Sequence, residues 1–251
     1  MIASLPMYDR PVNAAAQDAL WALIRDGLRE RGLAAPDALN RDLAYDAGWG
    51  RDDLVLGQIC NLPLRAKFRD HVTPIGASDY TLQGCPAGHY ASVVVVHKDA
   101  PEMTVAQALQ TRFVCNDYLS QSGFGAAWIM SQDQGFTINP HMVTGAHADS
   151  LKAVAAGFAD CATLDAQTWL MLQAEDSGAD QVRVIGKTGC SPCMTFITRL
   201  GEDPVPYFDA IKAAITALPE ADRTILGLRD IVRLPDADYD LPIPDLSLQS
   251  V

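Results

Sequence analysis

Short apolar segments alternate with helix-patterned ones along this chain, and that alternation restricts the fold more than any other feature. Met1 to Pro6 reads as a short buried strand, and Asn13 to Arg31 as an amphipathic helix with Ala15, Ala19, Leu20, Leu23, Ile24 and Leu28 on one stripe. Asp53 to Gln58 is a second buried strand, Leu62 to Phe68 a short helix and Val72 to Ala77 a third strand. This order predicts an α/β fold with a parallel-type sheet and helices on both faces.

A second set of alternating elements begins after the apolar strand Ser92 to His97, which stops at Lys98-Asp99-Ala100-Pro101. It comprises helices at Thr104 to Leu109, Gly123 to Ser131, His147 to Ala156 and Asp165 to Gln173, with strands at Arg112 to Cys115, Cys161 to Leu164 and Gln181 to Gly186. Beyond Thr188 come the strand Met194 to Thr198, a helix from Pro206 to Leu218 and a last strand from Asp230 to Leu234. A chain of 251 residues stands at the length where one core gives way to two. The expected organisation is therefore two lobes, residues 1–91 with 189–251 and residues 92–188, joined by two crossings that permit hinge closure over a cleft. The Pro- and Asp-rich end from Pro235 to Val251 reads as an extended tail.

Charge and composition remove several function classes. A net charge of −12 without a Lys/Arg cluster is the opposite of a nucleic-acid surface, and no helix-turn-helix precedes the first strand. The longest apolar run, Ala91 to Val96, falls far short of a membrane helix, so no membrane insertion is expected. The opening MIASLPMYDR lacks the basic n-region and apolar h-region of an export signal. The six cysteines, Cys60, Cys85, Cys115, Cys161, Cys190 and Cys193, stand mostly in apolar surroundings and are expected as buried free thiols. Cys190-Ser191-Pro192-Cys193 has the C-x-P-C spacing of thioredoxin-type centres. That chemistry requires a thiol at a helix start, and Met194 to Thr198 reads as a strand, so a loop lining the cleft is expected there instead. No second Cys/His pair has metal-ligand spacing, and no metal or cofactor is expected.

The segment Phe113-Val114-Cys115-Asn116-Asp117-Tyr118-Leu119-Ser120-Gln121-Ser122-Gly123-Phe124-Gly125 reads as strand, polar loop and helix start. First-turn N–H groups, the helix dipole and two hydroxyls would converge there on an anion, held at contact distance despite the negative net charge. Gly123 and Gly125 are expected to clear side chains from its path. The plainer account makes Ser120 or Ser122 an ordinary N-cap. A second segment, Thr144 to Asp165, opens a helix at His147, caps it near Gly157 and ends a short strand on the carboxylate of Asp165. His147 is either a ligand donor or a structural histidine. Asp165 either faces a ligand at the strand's carboxyl edge or N-caps the next helix. Tyr8 with Asp9 follows the first strand and Gly57-Gln58 closes the second, so both face the same edge, while Tyr90 precedes the crossover strand.

Ser-x-Ser-Gly after a strand and an Asn/Asp loop, the Gly-x-His helix start with its Ala-Val pair, and the Tyr-x-Ser approach in Pro86 to Val93 together resemble the phosphate/phosphite/phosphonate-binding proteins of ABC importers. That resemblance implies the type 2 periplasmic-binding-protein fold, a sheet flanked by helices in each lobe, and a small oxyanion held in the cleft. Ser120, Gln121, Ser122, Gly123, His147, Asp165, Tyr90, Tyr8 and Gln58 would be its ligand residues. It implies no catalytic residue, an ABC permease as partner and a periplasmic location, with a cytoplasmic one left open by the missing export signal. Where the family pattern carries an acidic residue to pair with an aminoalkylphosphonate, the return loop Gly189 to Met194 has none, so that ligand is not expected. Two other classes stay open: an enzyme on the same fold acting on a phosphorylated small molecule through His147 or a cysteine, and a sensor that signals without transport.

Overall fold

The computed structural model describes residues 1–175 and 178–246. The chain begins with β1 (Ile2–Ser4), α1 (Ala14–Glu30), β2 (Leu54–Ile59), α2 (Asn61–Pro63) running into a π-helical turn at Leu64–Phe68, and β3 (Val72–Asp79). Then come β4 (His89–Tyr90), β5 (Ser92–His97), α3 (Val105–Leu109), β6 (Phe113–Cys115), a second π-helical turn at Gln121–Gly125 continued by α4 (Ala126–Gln134), and β7 (Met142–Val143). They are followed by α5 (His147–Ala155), β8 (Cys161–Asp165), α6 (Ala166–Ala174), β9 (Val182–Lys187), β10 (Ser191–Pro192) and β11 (Thr195–Arg199). The last elements are α7 (Pro204–Ala217), α8 (Glu220–Leu226), β12 (Asp230–Val232) and α9 (Asp236–Tyr239). Two units result: Met1–His89 with Pro192–Asp240, and Tyr90–Ser191 with the chain from Leu241.

The first unit holds a five-stranded sheet in the order β1-β2-β11-β3-β12. β1 runs parallel to β2, but β11 lies antiparallel between β2 and β3, with Phe196 opposite both Gln58 and Gly76. The expected parallel-type sheet is therefore mixed. Parallel neighbours need a crossover that returns to the same end of the sheet, whereas β11 arrives after the excursion through the second unit and enters from the other end. Ile2, Leu54, Ile59, Val72 and Ile197 form the core of this sheet.

Helix α1 buries Ala16, Leu20, Trp21, Ile24 and Leu28 and packs on α7. Its inward face is turned from the one read off the periodicity: Ala15 is exposed and Ala19 and Leu23 are only partly covered. The Trp21 indole, 1 % exposed, decides this rotation, because its apolar area outweighs that of two alanines.

The second unit holds the sheet β7-β6-β8-β5-β9. β6 is parallel to β7 and β8, and β5 is antiparallel to both its neighbours. Val93 and Val95 of β5 pack with Leu151, Val154 and Leu172, while Val96 packs with Leu109, Phe113 and Phe124. Successive residues alternate between two covered faces, which is why this strand reads as an unbroken valine run.

Cys60, Cys115, Cys161 and Cys193 are buried free thiols, as expected. Burial pushes the Cys115 and Cys161 thiols up to about 12, which makes both inert. Cys85 and Cys190 depart from the expectation, since both are disulfide-bonded. Disulfides are decided by approach in space, to which spacing along a chain gives no guide. Among the described residues no helix is long and apolar enough to cross a membrane.

Candidate functional site

The site is assembled in the second unit, where β6 ends and the chain must turn before α4. Asp117 starts that turn: its Oδ1 accepts from Leu119 N at 2.7 Å and its carbonyl accepts from Ser120 N. Ser120, in extended backbone, caps the π-helical turn that follows, its Oγ accepting from Gly123 N at 3.0 Å. Phe124 N and Gly125 N both donate to the Ser120 carbonyl. The capping role open at Ser120 is thus filled, and the Ser122 N–H is an amide of the turn that none of these bonds uses. Insertions of one π turn ahead of an α-helix recur at functional sites.

Ser122 is 3 % exposed, and its Oγ lies 2.8 Å from His147 Nε2 and 3.4 Å from Ser120 Oγ. Its carbonyl accepts from Ser92 Oγ at 2.8 Å, and the Gly123 carbonyl accepts from Thr163 Oγ1. Ser92 and Thr163 sit on β5 and β8, so two neighbouring strands grip the turn from below. Gly123 has a packing reason of its own. A Cβ there would come within 1.7 Å of Asn116 Oδ1, so the missing side chain makes room for the Asn116 amide. That Oδ1 is itself buried without a hydrogen-bond partner among the described residues.

His147 is the first residue of α5. Its segment is tied to the end of β6 by Thr144 N to the Cys115 carbonyl and Gly145 N to the Asn116 carbonyl. Gly145 takes φ +88°, a left-handed conformation that favours glycine. Thr144 Oγ1 also meets Ser150 Oγ at 2.6 Å. Desolvation lowers the His147 imidazole from its ordinary 6.5 to about 4, with the Thr163 backbone opposing part of that shift. The ring is therefore neutral near pH 7. Its Nδ1 is buried and makes no hydrogen bond of good geometry among the described residues.

Ser120, Gln121, Ser122, Gly123 and His147 thus come together on one turn and the helix start beside it. Asp165 ends β8 directly opposite Ser92; it is 1 % exposed and caps α6 through Oδ1, which accepts from Thr168 N at 2.8 Å. Tyr90 is buried at the start of the second unit. Tyr8 and Gln58 belong to the first unit. Tyr8 stacks edge-on against Tyr80, with ring centroids 5.1 Å apart, and Gln58 Nε2 reaches Ser78 Oγ at 3.4 Å. Asp9 is held by Arg41 at 2.6 Å. Sequence reasoning assigned no role to Asn116, Ser92 or Thr163; Ser92 and Thr163 begin or sit within apolar strands, and nothing local distinguishes a gripping hydroxyl from a buried one. Among the described residues no group of three His, Cys, Asp or Glu side chains could hold a metal ion.

Residues 64–240 match the family described as "ABC transporter, phosphonate, periplasmic substrate-binding protein". No curated protein matches the chain. Among solved structures, the chain is similar to PhnD1 from Prochlorococcus marinus in complex with methylphosphonate, at TM-score 0.67 and 16 % identity over 95 % of this chain and 94 % of that one. It is similar to XAC2383 from Xanthomonas citri bound to ATP, at TM-score 0.64 and 14 % identity over 95 % and 92 %. A histidine kinase sensor domain with similarity to periplasmic binding proteins aligns at TM-score 0.60 and 14 % identity over 92 % and 97 %. At these identities the likeness is one of fold: a mixed α/β periplasmic binding protein of two lobes, each a sheet flanked by helices.

Proposed function

We propose, from the premise that this chain belongs to the family of periplasmic phosphonate-binding proteins of ABC transporters, that it binds a small phosphonate- or phosphate-like oxyanion for an importer. Members of this family are substrate-binding proteins and not enzymes, and their ligand is passed to a permease. The observation that carries the reading is the Ser122 Oγ to His147 Nε2 contact of 2.8 Å on the turn that opens α4.

An oxyanion there would take the Ser122 N–H and the hydroxyls of Ser120 and Ser122, at the positive end of the α4 dipole. The neutral imidazole makes this workable. In one tautomer His147 Nε2 accepts the Ser122 hydroxyl proton; in the other it donates to Ser122 Oγ and turns that proton toward the anion. The proposal gives ligand contacts also to Gln121 and Gly123, and to Asp165, Tyr90, Tyr8 and Gln58, with closure of the lobes by hinge motion around the ligand and a periplasmic place of action. A sensor that signals on ligand binding is the second reading, favoured by the likeness to a histidine kinase sensor domain.

Thermal-shift and calorimetric titration with methylphosphonate, phosphate, phosphite and sulfate test the proposal. Stabilisation by at least one phosphorus oxyanion, lost in the double variant Ser122→Ala, His147→Ala while its apo form stays folded, is expected. Equal responses of variant and wild type would remove the site, and conversion of the ligand during incubation would replace binding with catalysis.

A further inference from the structure

The first unit contains a cavity of about 280 Å³ that none of the proposed oxyanion ligands lines. Its walls come from four stretches of chain: the turn after α2, the start of β3, the start of α7, and the segment running from β12 into α9. Pro74, Val205 and Leu234 are among its apolar lining residues, and three arginines, Arg65, Arg69 and Arg233, line it too. Two carboxylates belong to the same place, Asp236 in the wall and Asp240 paired with Arg69.

Three features of these arginines favour an anion as occupant. In a chain of net charge −12, arginines such as Arg25, Arg29, Arg41, Arg112 and Arg199 each have a carboxylate in contact. Arg233 has none within ion-pair distance among the described residues; its guanidinium is held 4.3 Å over the Phe208 ring, which fixes it without neutralising it. Arg65, another lining residue, is 8 % exposed. The Arg69–Asp240 pair is about half exposed on both sides, and such pairs are weak enough to be exchanged for another anion.

We propose that this cavity is a second binding site, for a small organic carboxylate with an apolar body. The planar carboxylate matches the guanidinium fork, and the hydrocarbon part occupies the wall of Pro74, Val205 and Leu234, which a bare phosphate or sulfate would leave without a partner. Its occupation is independent of the oxyanion site of the second unit.

Titration of the full chain with benzoate, using benzamide as the neutral isostere and methylphosphonate as the probe of the other site, tests this. Benzoate is expected to bind saturably, hexanoate to displace it, and benzamide to bind at least about tenfold more weakly, the scale of a charge-assisted pair. Arg233→Gln, at an exposed position, should weaken benzoate about tenfold, and Val205→Phe should block it by filling the cavity. Both should leave the methylphosphonate response as in wild type, and Ser122→Ala should leave benzoate binding intact. Absence of saturable benzoate binding, equal binding of benzamide, or insensitivity to both Arg233→Gln and Val205→Phe would overturn the proposal. Loss of benzoate binding in Ser122→Ala would overturn it too, by placing benzoate in the oxyanion site. Failure of methylphosphonate alone would count against the oxyanion reading only.

Discussion

Ser122 Oγ and His147 Nε2 stand 2.8 Å apart although 25 positions separate them in the chain. The contact exists because Thr144 and Gly145 bind back to the end of β6, the strand that also launches the Ser120–Gly123 turn. One strand end therefore organises both partners, and replacing the hydroxyl should remove a hydrogen bond without moving the histidine. Ser122→Ala alone is expected to weaken methylphosphonate binding by about tenfold to a hundredfold, the cost of one hydrogen bond to a charged group, read by calorimetry at constant ionic strength.

The neutral state of His147 sets a pH dependence. An unfolded chain takes up the proton near the ordinary 6.5, while the folded protein resists until about 4. Across that window the unfolded state binds more protons, so stability falls as the pH is lowered and the loss is complete below about 4. The full shift corresponds to at most about 3 kcal/mol, reduced by the partial exposure of this residue. Urea unfolding at pH 7.5 and 4.5 should show a larger loss in wild type than in His147→Gln; equal losses would mean that the imidazole is not held neutral.

Gly123 is occupied territory for any larger residue. Gly123→Ala drives a methyl to within 1.7 Å of Asn116 Oδ1, and overpacking of this kind costs about 1–3 kcal/mol. The compensating double variant Gly123→Ala, Asn116→Ala should regain most of the lost stability in thermal unfolding. Were the glycine there for ligand access alone, the single variant would fold as well as wild type and lose only binding.

Asp165 caps α6 while sitting on the edge assigned to the ligand. Asparagine preserves a cap and alanine does not, so Asp165→Asn should leave stability within about 0.5 kcal/mol of wild type and Asp165→Ala should cost about 1 kcal/mol. Because a carboxylate repels an anion, Asp165→Asn is also expected to hold or tighten phosphate binding. A fall in phosphate affinity would instead show the carboxylate accepting a proton from the ligand.

Thiol counting checks the cysteines. Four free thiols and two disulfide-bonded sulfurs predict four reactive groups in denatured, unreduced protein and six after reduction, with a lowered Tm for the reduced form. Six thiols before reduction would show Cys85 and Cys190 to be reduced.

Local patterning made much of the fold readable from the residues themselves. The valine run of β5, the apolar core of β2 and the helical stretch of α1 each announce themselves within a few residues, because strand and helix periodicity are short-range properties. The Ser120–Gly123 turn was legible for the same reason: a strand end, an Asp-led turn, a serine cap and a glycine follow one another without a break, and the spacing of Gly145 and His147 from a helix start is local too.

Contacts between distant segments were decided by the tertiary structure. β11 enters antiparallel between β2 and β3, Trp21 turns α1 away from Ala15, Cys85 and Cys190 are oxidised, and Gly123 makes room for Asn116. The neutral His147 belongs with these, since its charge state follows from desolvation by the surrounding structure. Periodicity, capping and turn chemistry act over a handful of bonds and are written into any stretch of sequence, whereas strand insertion, sulfur approach and dielectric environment depend on which residues meet once the chain has folded.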